Sequence, residues 1–430
     1  MEKRTYPALS EEVFWDRLPN GLTIAVVPRP GFSRKLAYFV TDYGAIHTDF
    51  TLNGKRIRTP AGIAHYLEHK LFDLPDRDVT AEFAALGASP NAFTSYDLTA
   101  YYFSCTENFA DCLSLLLEFV STPYFTDETV QKEQGIIGQE IGMHTDNPDS
   151  RVFEELMGNM YRNHPITVPI LGTRESIAQI TPELLHACHK AFYRPGNMLL
   201  CVIGDVDPAQ VRSIAAGCLP ETDDTQVARI QHWPEEMTCP KAFSQRTMEV
   251  AMPMFQLGFK CEPPEAGQEA VRTEAIGDLA AEALFGESSR LYLQLYEEGI
   301  IDSSFGGGFE TVDGMALLTA SGDSEDPEAV RDAILQEADR LVREGIPEED
   351  FLRMKRSAMG RRIRDLDSFN SIAFRVCAYY FSKFDYFDFP GIYKTVESAD
   401  ILAFLQQVVT EQRCSLCILY PKEESDYESQ

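Results

Sequence analysis

An amphipathic helix, a short turn and an apolar strand occur twice in this chain. Thr181 to Phe192 carries the helical pattern and runs into Met198-Leu-Leu-Cys-Val-Ile203; Ser398 to Val409 repeats it and runs into Cys414-Ser-Leu-Cys-Ile-Leu419. A unit that cannot bury its apolar face alone is duplicated together with the layer it packs on, so the repeat predicts two related halves of roughly 200 residues each. Between them, residues 220–240 are polar, with Glu221, Asp223, Asp224, Glu235 and Glu236, and read as a linker. The expected domains are therefore residues 1–225 and 226–430.

The first half interleaves strands with helices. Leu22 to Val27, Leu36 to Tyr43, Leu98 to Cys105 and Met198 to Val206 are short β-rich runs. Helical patterns fall near 62–73, 78–86, 107–120, 127–144 and 182–192. This order predicts an α+β class: two homologous domains, each a mixed β-sheet with helices packed mainly on one face. Gly306-Gly307-Gly308 lacks the helix start and lysine of a phosphate loop, and Asp313-Gly314 follows as a hairpin signal, so the stretch reads as a bent strand.

The formal net charge is −29. Repulsion by phosphates and anionic lipids argues against a nucleic-acid binder and against electrostatic docking on membranes. The N-terminus runs into Glu11-Glu12 with no apolar signal core, and no stretch approaches the ~20 apolar residues of a spanning helix. Ten scattered cysteines, several in apolar runs, suit buried thiols in a reducing cytoplasm; Cys414-Ser-Leu-Cys417 opens such a run and reads as strand packing.

The chemistry concentrates in Gly62-Ile-Ala-His65-Tyr-Leu-Glu68-His69-Lys-Leu-Phe72. Ile63, Leu67 and Leu71 form a helical stripe, which stacks His65 above His69 one turn apart. Two imidazoles so placed can hold one metal ion, and Glu68 borders the same face within reach of a metal-bound water. A catalytic zinc site takes a third protein ligand and leaves a position open. The helix Thr129 to Ile141 offers Glu133 and Glu140, two turns apart on one face. Gly135, Gly138 and Gly142 each weaken that helix by ~0.5–1 kcal/mol relative to Ala, and are expected to let it approach the His65–His69 helix. His186 and His189 read as packing residues, and His144 and His164 as structural.

These motifs resemble the pitrilysin-type inverted-zincin metallopeptidases, which include insulin-degrading enzyme and mitochondrial processing peptidase. The matching pieces are His65-Tyr-Leu-Glu-His69, Gly87-Ala-Ser-Pro-Asn-Ala-Phe-Thr-Ser95, Glu133 through Glu140, Leu171-Gly-Thr-Arg-Glu-Ser-Ile177, Phe192-Tyr-Arg-Pro-Gly-Asn-Met198 and Gly204-Asp-Val206. The likeness is to the bacterial processing-peptidase-like branch and covers nearly all of the first half, and the second more loosely. It implies one Zn2+ per chain held by His65, His69 and Glu140, with Glu68 as general base and Glu133 orienting the site. It implies that Asn91, Ala92, Phe93 and Thr94 form an edge strand onto which a substrate peptide adds. The implied activity is hydrolysis of peptide bonds by a zinc metalloendopeptidase.

One departure bears on partners. Active relatives carry an Arg and a Tyr seven residues apart in the second half or in a partner subunit. In the corresponding stretch, Ser288 to Ser303, Tyr296 stands where the Arg would be and Ser303 where the Tyr would be; Arg290 and Tyr292 lie in another register. The expectation is a chamber closed by a related subunit that supplies the pair, a heterodimer, with a homodimer as the other arrangement. The competing reading is a catalytically silent binding or assembly subunit of the same fold.

Overall fold

The computed structural model describes residues 1–75, 77–220, 225–231 and 233–422. The chain divides into two compact units. The first comprises Met1–Ile141, Val168–His232 and Ile363–Asp388; the second comprises Gly142–Thr167, Trp233–Arg362 and Phe389–Gln430.

The first unit is built on a seven-stranded mixed sheet. Its strands are β1 (Glu2–Tyr6), β2 (Glu11–Arg17), β3 (Thr23–Pro28), β4 (Lys35–Thr41), β5 (Ser89–Thr94), β6 (Thr99–Cys105) and β7 (Met198–Gly204), in the order β1-β2-β3-β7-β4-β6-β5. Only the β7–β3 pair is parallel. Alternation sends Ile24, Val26, Ala37, Phe39, Tyr101, Phe103, Leu200 and Val202 into one core. That core is closed by α1 (Ile63–Leu71), α2 (Phe109–Ser121), one face of α3 (Asp127–Thr145) and, beyond α4 (Pro148–Met160), by α5 (Pro182–Phe192). The opposite face carries Tyr38 stacked on Tyr102 at 4.4 Å and Trp15 stacked on Tyr380 at 6.2 Å. There the sheet is covered by the helix Phe369–Phe381, whose Tyr380 hydroxyl lies 2.7 Å from that of Thr23. Strand β5 ends the sheet order, so its outer side faces away from β6 as an open edge.

The second unit has a five-stranded mixed sheet of β8 (Phe243–Met248), β9 (Met254–Cys261), β10 (Gly306–Val312), β11 (Met315–Asp323) and β12 (Cys414–Pro421), in the order β8-β12-β9-β11-β10. Its topology repeats the first. In each unit the strand after the duplicated helix, β7 or β12, lies between a parallel and an antiparallel neighbour. The bent-strand reading of Gly306–Gly308 holds: they open β10, and Gly314 (φ +80°) turns the chain into β11. Cys414 and Cys417 are buried in β12, and all ten cysteines are free thiols.

Neither compact unit is one continuous stretch of chain. The helix Phe369–Phe381 packs on β7 and β4, and α4 packs on β9 and β12, so each unit is closed by a segment from the other half of the chain. The segment read as a linker is partly structured: Val227–Arg229 pairs antiparallel with Asp49–Leu52, while residues 221–224 and 232 lie outside the described residues.

The turn after β5 is held from below by Gly44. A Cβ at Gly44 would lie 2.6 Å from Asp97 N, Ser95 O and Tyr96 C, all backbone atoms that cannot rotate away. Ala45 N–H also donates to Ser95 O (3.0 Å) and Ile46 N–H to Tyr96 O (2.9 Å). Gly44→Ala is therefore expected to destabilise the first unit by about 1–3 kcal/mol through overpacking. A thermal melt checks this, and an unchanged midpoint would refute it.

Candidate metal centre

Helix α1 starts where only glycine fits. Gly62 sits at φ 89°, and a Cβ there would meet the Leu171 carbonyl oxygen at 2.5 Å. Its apolar stripe, Ile63, Leu67 and Leu71, is buried as the periodicity predicted. This fixes the rotation of the helix and sends His65 and His69 out on one side, ring centroids 4.6 Å apart.

Helix α3 brings the carboxylates. Glu140 Oε1 lies 3.6 Å from His65 Nε2, and Glu140 Oε2 lies 3.5 Å from His69 Nε2. One ligand atom from each of these residues falls within 4.8 Å of the others. Glu133, two turns earlier, is 3.0 Å from His69 Nδ1. A hydrogen bond there puts the His69 proton on Nδ1 and leaves the Nε2 lone pair facing Glu140 and His65. His65 is held differently: its Nδ1 is buried with no hydrogen-bond partner among the described residues, so no bond at that nitrogen orients the ring as Glu133 does for His69.

Glu68 is buried and accepts a 2.6 Å hydrogen bond from the Thr94 hydroxyl at Oε2. Burial pushes its carboxyl above the usual range, while the Thr94 bond and the two imidazoles oppose that shift. Burial acts to lower His69, but the bond to Glu133 and the charges of Glu68, Glu133 and Glu140 outweigh it and raise the imidazole. Asn91, Ala92, Phe93 and Thr94 all lie on the edge strand β5, opposite Tyr102, Tyr101, Ala100 and Thr99 of β6.

His65, Glu68, His69, Glu133, Glu140 and Thr94 thus come together, but not through Gly135 or Gly138. A Cβ at Gly135 would meet open space, and one at Gly138 would meet the Arg174 guanidinium at 3.1 Å rather than α1. The tie between the helices is Tyr66, whose buried hydroxyl donates to the Val130 carbonyl of α3. Sequence reasoning passed over Tyr66, although a tyrosine on the buried side of a helix needs a partner for its hydroxyl. His189, His164, His144 and His186 each have a contact elsewhere in the fold. His189 Nε2 is 2.9 Å from Val120 O, His164 Nε2 is 2.7 Å from Asp313 O, His144 is 3.3 Å from Glu154, and His186 packs on Phe125.

The donor set fits zinc: two imidazole nitrogens and one carboxylate oxygen, with His69 oriented through its second nitrogen. Glu140 is the most exposed of the three, which leaves the cluster open to water on that side.

The family model for insulinase, peptidase family M16, matches residues 54–174, which contain all five of His65, Glu68, His69, Glu133 and Glu140. The family model for the peptidase M16 inactive domain matches residues 179–358, beyond the last of them. A Bacillus subtilis (strain 168) protein named uncharacterized zinc protease YmfH is 38% identical, over 97% of this chain and 98% of that protein. The crystal structure of an M16-like peptidase from Alicyclobacillus acidocaldarius superposes with a TM-score of 0.92 and 32% identity, covering 96% of this chain and 99% of that one. A protease from Helicobacter pylori shares the fold at a TM-score of 0.82 and 18% identity, over 96% of this chain and 100% of that one.

Proposed function

This chain belongs to peptidase family M16, the insulinase family, and from that membership together with its site we propose that it is a zinc-dependent endopeptidase. The observation that carries the reading is the approach of Glu140 to both imidazoles, at 3.5 and 3.6 Å, from a separate helix. His65, His69 and Glu140 would hold one zinc ion per chain. Residues 1–225 are the zinc-binding peptidase domain, and 226–430 a homologous domain without the metal. Ten free thiols, all but Cys218 buried, support a reducing, cytoplasmic setting.

Zinc held by His65, His69 and Glu140 would supply Lewis acidity toward a water molecule and the scissile carbonyl. The chain's own residues do the rest. A substrate peptide lies along the open edge of β5 at Asn91–Thr94 as an added strand, its backbone paired and its side chains pointing alternately to the two faces. Glu68 takes a proton from the attacking water and delivers it to the leaving amine; burial holds its carboxyl above the usual range. Glu133 keeps His69 in the tautomer that frees Nε2.

The expected result is cleavage of a quenched peptide that a chelator abolishes and added zinc restores, with one zinc per chain by metal analysis. Undiminished turnover in chelator, with the metal shown to be gone, would overturn the reading.

Tyr296 and Ser303 favour a second subunit. Tyr296 is exposed on the helix Arg290–Glu297, and no arginine replaces it in that register. We therefore propose that a related subunit closes the chamber and contributes the Arg and Tyr. The silent assembly subunit is the alternative that the same departure supports. Full activity of the lone chain would eliminate both; activity only on mixing with the related subunit selects the heterodimer.

A further inference from the structure

Thr94 belongs to two parts of the site at once. Its backbone ends the edge strand β5, opposite Thr99 of β6. Its hydroxyl donates to Glu68 Oε2 at 2.6 Å, a short bond to a buried carboxylate. The strand on which a peptide would lie is therefore bonded directly to the group that would move the proton.

That hydroxyl is held firmly. Threonine is restricted at χ1 by its β-branch. The next residue, Ser95, closes a tight turn: its N–H donates to Leu98 O (2.8 Å) and its hydroxyl to Asp97 Oδ1 (2.7 Å). Gly44 packs on the same turn with no room for a methyl group.

We infer that Thr94 is a positioning residue for Glu68, an assignment that rests on the peptidase reading above. Its bond commits Oε2 and fixes the carboxylate plane, so Oε1 is the oxygen that serves the reaction. In the first step a water O–H bond breaks and Oε1–H forms while the water oxygen bonds to the scissile carbonyl carbon; in the second Oε1–H breaks and the proton passes to the nitrogen as the C–N bond breaks. Because one residue sets both the end of the substrate strand and the aim of the base, a peptide in register on β5 is automatically in register with Glu68.

The test uses the zinc-loaded protein in whichever assembly turns peptide over, with Thr94→Val, Thr94→Ser and Glu68→Gln side by side. Valine keeps the shape and the β-branch but cannot donate; serine keeps the donor. Thr94→Val is expected to lower kcat about 10- to 100-fold, the usual cost of losing an outer-shell partner, with KM within about twofold and zinc content unchanged. Thr94→Ser should recover most of kcat. A readout independent of turnover is the crystal structure of zinc-loaded Thr94→Val, in which the Glu68 carboxylate should have rotated from its place. Should the valine variant fail to fold, Thr94→Ala removes the same donor. A wild-type kcat in Thr94→Val, or a raised KM with kcat unchanged, would overturn the assignment and leave Thr94 as a strand residue only. If Glu68→Gln is silent in that case, the peptidase reading survives. If Glu68→Gln also turns over like wild type, that reading falls together with this one.

Discussion

Glu68→Gln is expected to reduce kcat by about 10²- to 10⁴-fold, the range that a positioned general base contributes. At 1.36 kcal/mol per tenfold, this is roughly 3–5 kcal/mol of transition-state stabilisation. Glutamine is the informative replacement because it changes so little else. Its side-chain oxygen can still accept from the Thr94 hydroxyl, and its volume fills the same buried space. The three groups that would bind zinc, His65, His69 and Glu140, are untouched, as is the Glu133 bond that orients His69. What is lost is a carboxylate able to accept a proton. Zinc content and melting temperature should therefore stay near wild type while quenched-peptide turnover collapses. A folded, zinc-loaded variant cleaving at the wild-type rate would remove Glu68 from the mechanism. A variant that lost its zinc would show instead that Glu68 maintains the metal site.

How far the site could be read in advance follows from how local each piece is. His65 and His69 are one turn apart, so any helix there brings them together, and the buried stripe of Ile63, Leu67 and Leu71 identifies the helix. The acid ligand is different in kind. Glu133 and Glu140 share a face of α3, and helical spacing alone cannot say which reaches the imidazoles. The arrangement, with Glu140 at both Nε2 atoms and Glu133 at Nδ1 of His69, depends on where α3 docks, and that is set in part by Tyr66 on Val130. Gly135 and Gly138 pointed the wrong way because a missing side chain marks space without saying what fills it; at Gly138 it is Arg174.

The same division runs through the fold. Strand β7 is buried along its whole length and reads as an unbroken apolar run, so it was found almost to the residue. The strands Glu2–Tyr6 and Glu11–Arg17 went unread. The first is the sheet's edge strand and the second lies next to it, with only Val13 and Trp15 buried among polar and charged neighbours. Nor does any periodicity reveal that Phe369–Phe381 covers the first sheet. Its apolar residues would suit either sheet, and the choice is made by contacts far apart in sequence, such as Tyr380 with Trp15 and Thr23.

Glu235→Ala should be the most damaging substitution away from the metal centre, at about 3–5 kcal/mol, the cost of stripping one partner from a buried ion pair. In sequence Glu235 looks like one more acid in a polar linker. In the structure its side chain is only 8% exposed and that of its partner, Lys260, only 1%. Glu235 Oε2 lies 3.0 Å from Lys260 Nζ, and Oε1 accepts the backbone N–H groups of Arg162, Asn163 and His164 at 2.9, 2.6 and 2.9 Å. One carboxylate thus ties the chain after α4 to strand β9 and to the segment entering β8. Alanine would strand three amide donors at once. It would also leave the Lys260 ammonium with only the Met160 carbonyl (2.8 Å) and the face of Tyr161 (4.4 Å). At ~2–4 °C per kcal/mol for a unit of this size, the second unit should melt on the order of 10 °C lower, as differential scanning calorimetry would resolve. Glu235→Gln, which keeps an acceptor for the amides, should cost less. Acid supplies a second check. Burial works to raise the Glu235 carboxyl, but the three amides and Lys260 overcome it and hold it below the usual range. A depressed folded pKa stabilises above the unfolded value of ~4.3 and is lost as pH falls through the folded value. The stability gap between wild type and Glu235→Gln should therefore be full at neutral pH and shrink below about pH 4. A gap that stays constant into acid would mean that the carboxylate's charge contributes nothing to this clasp.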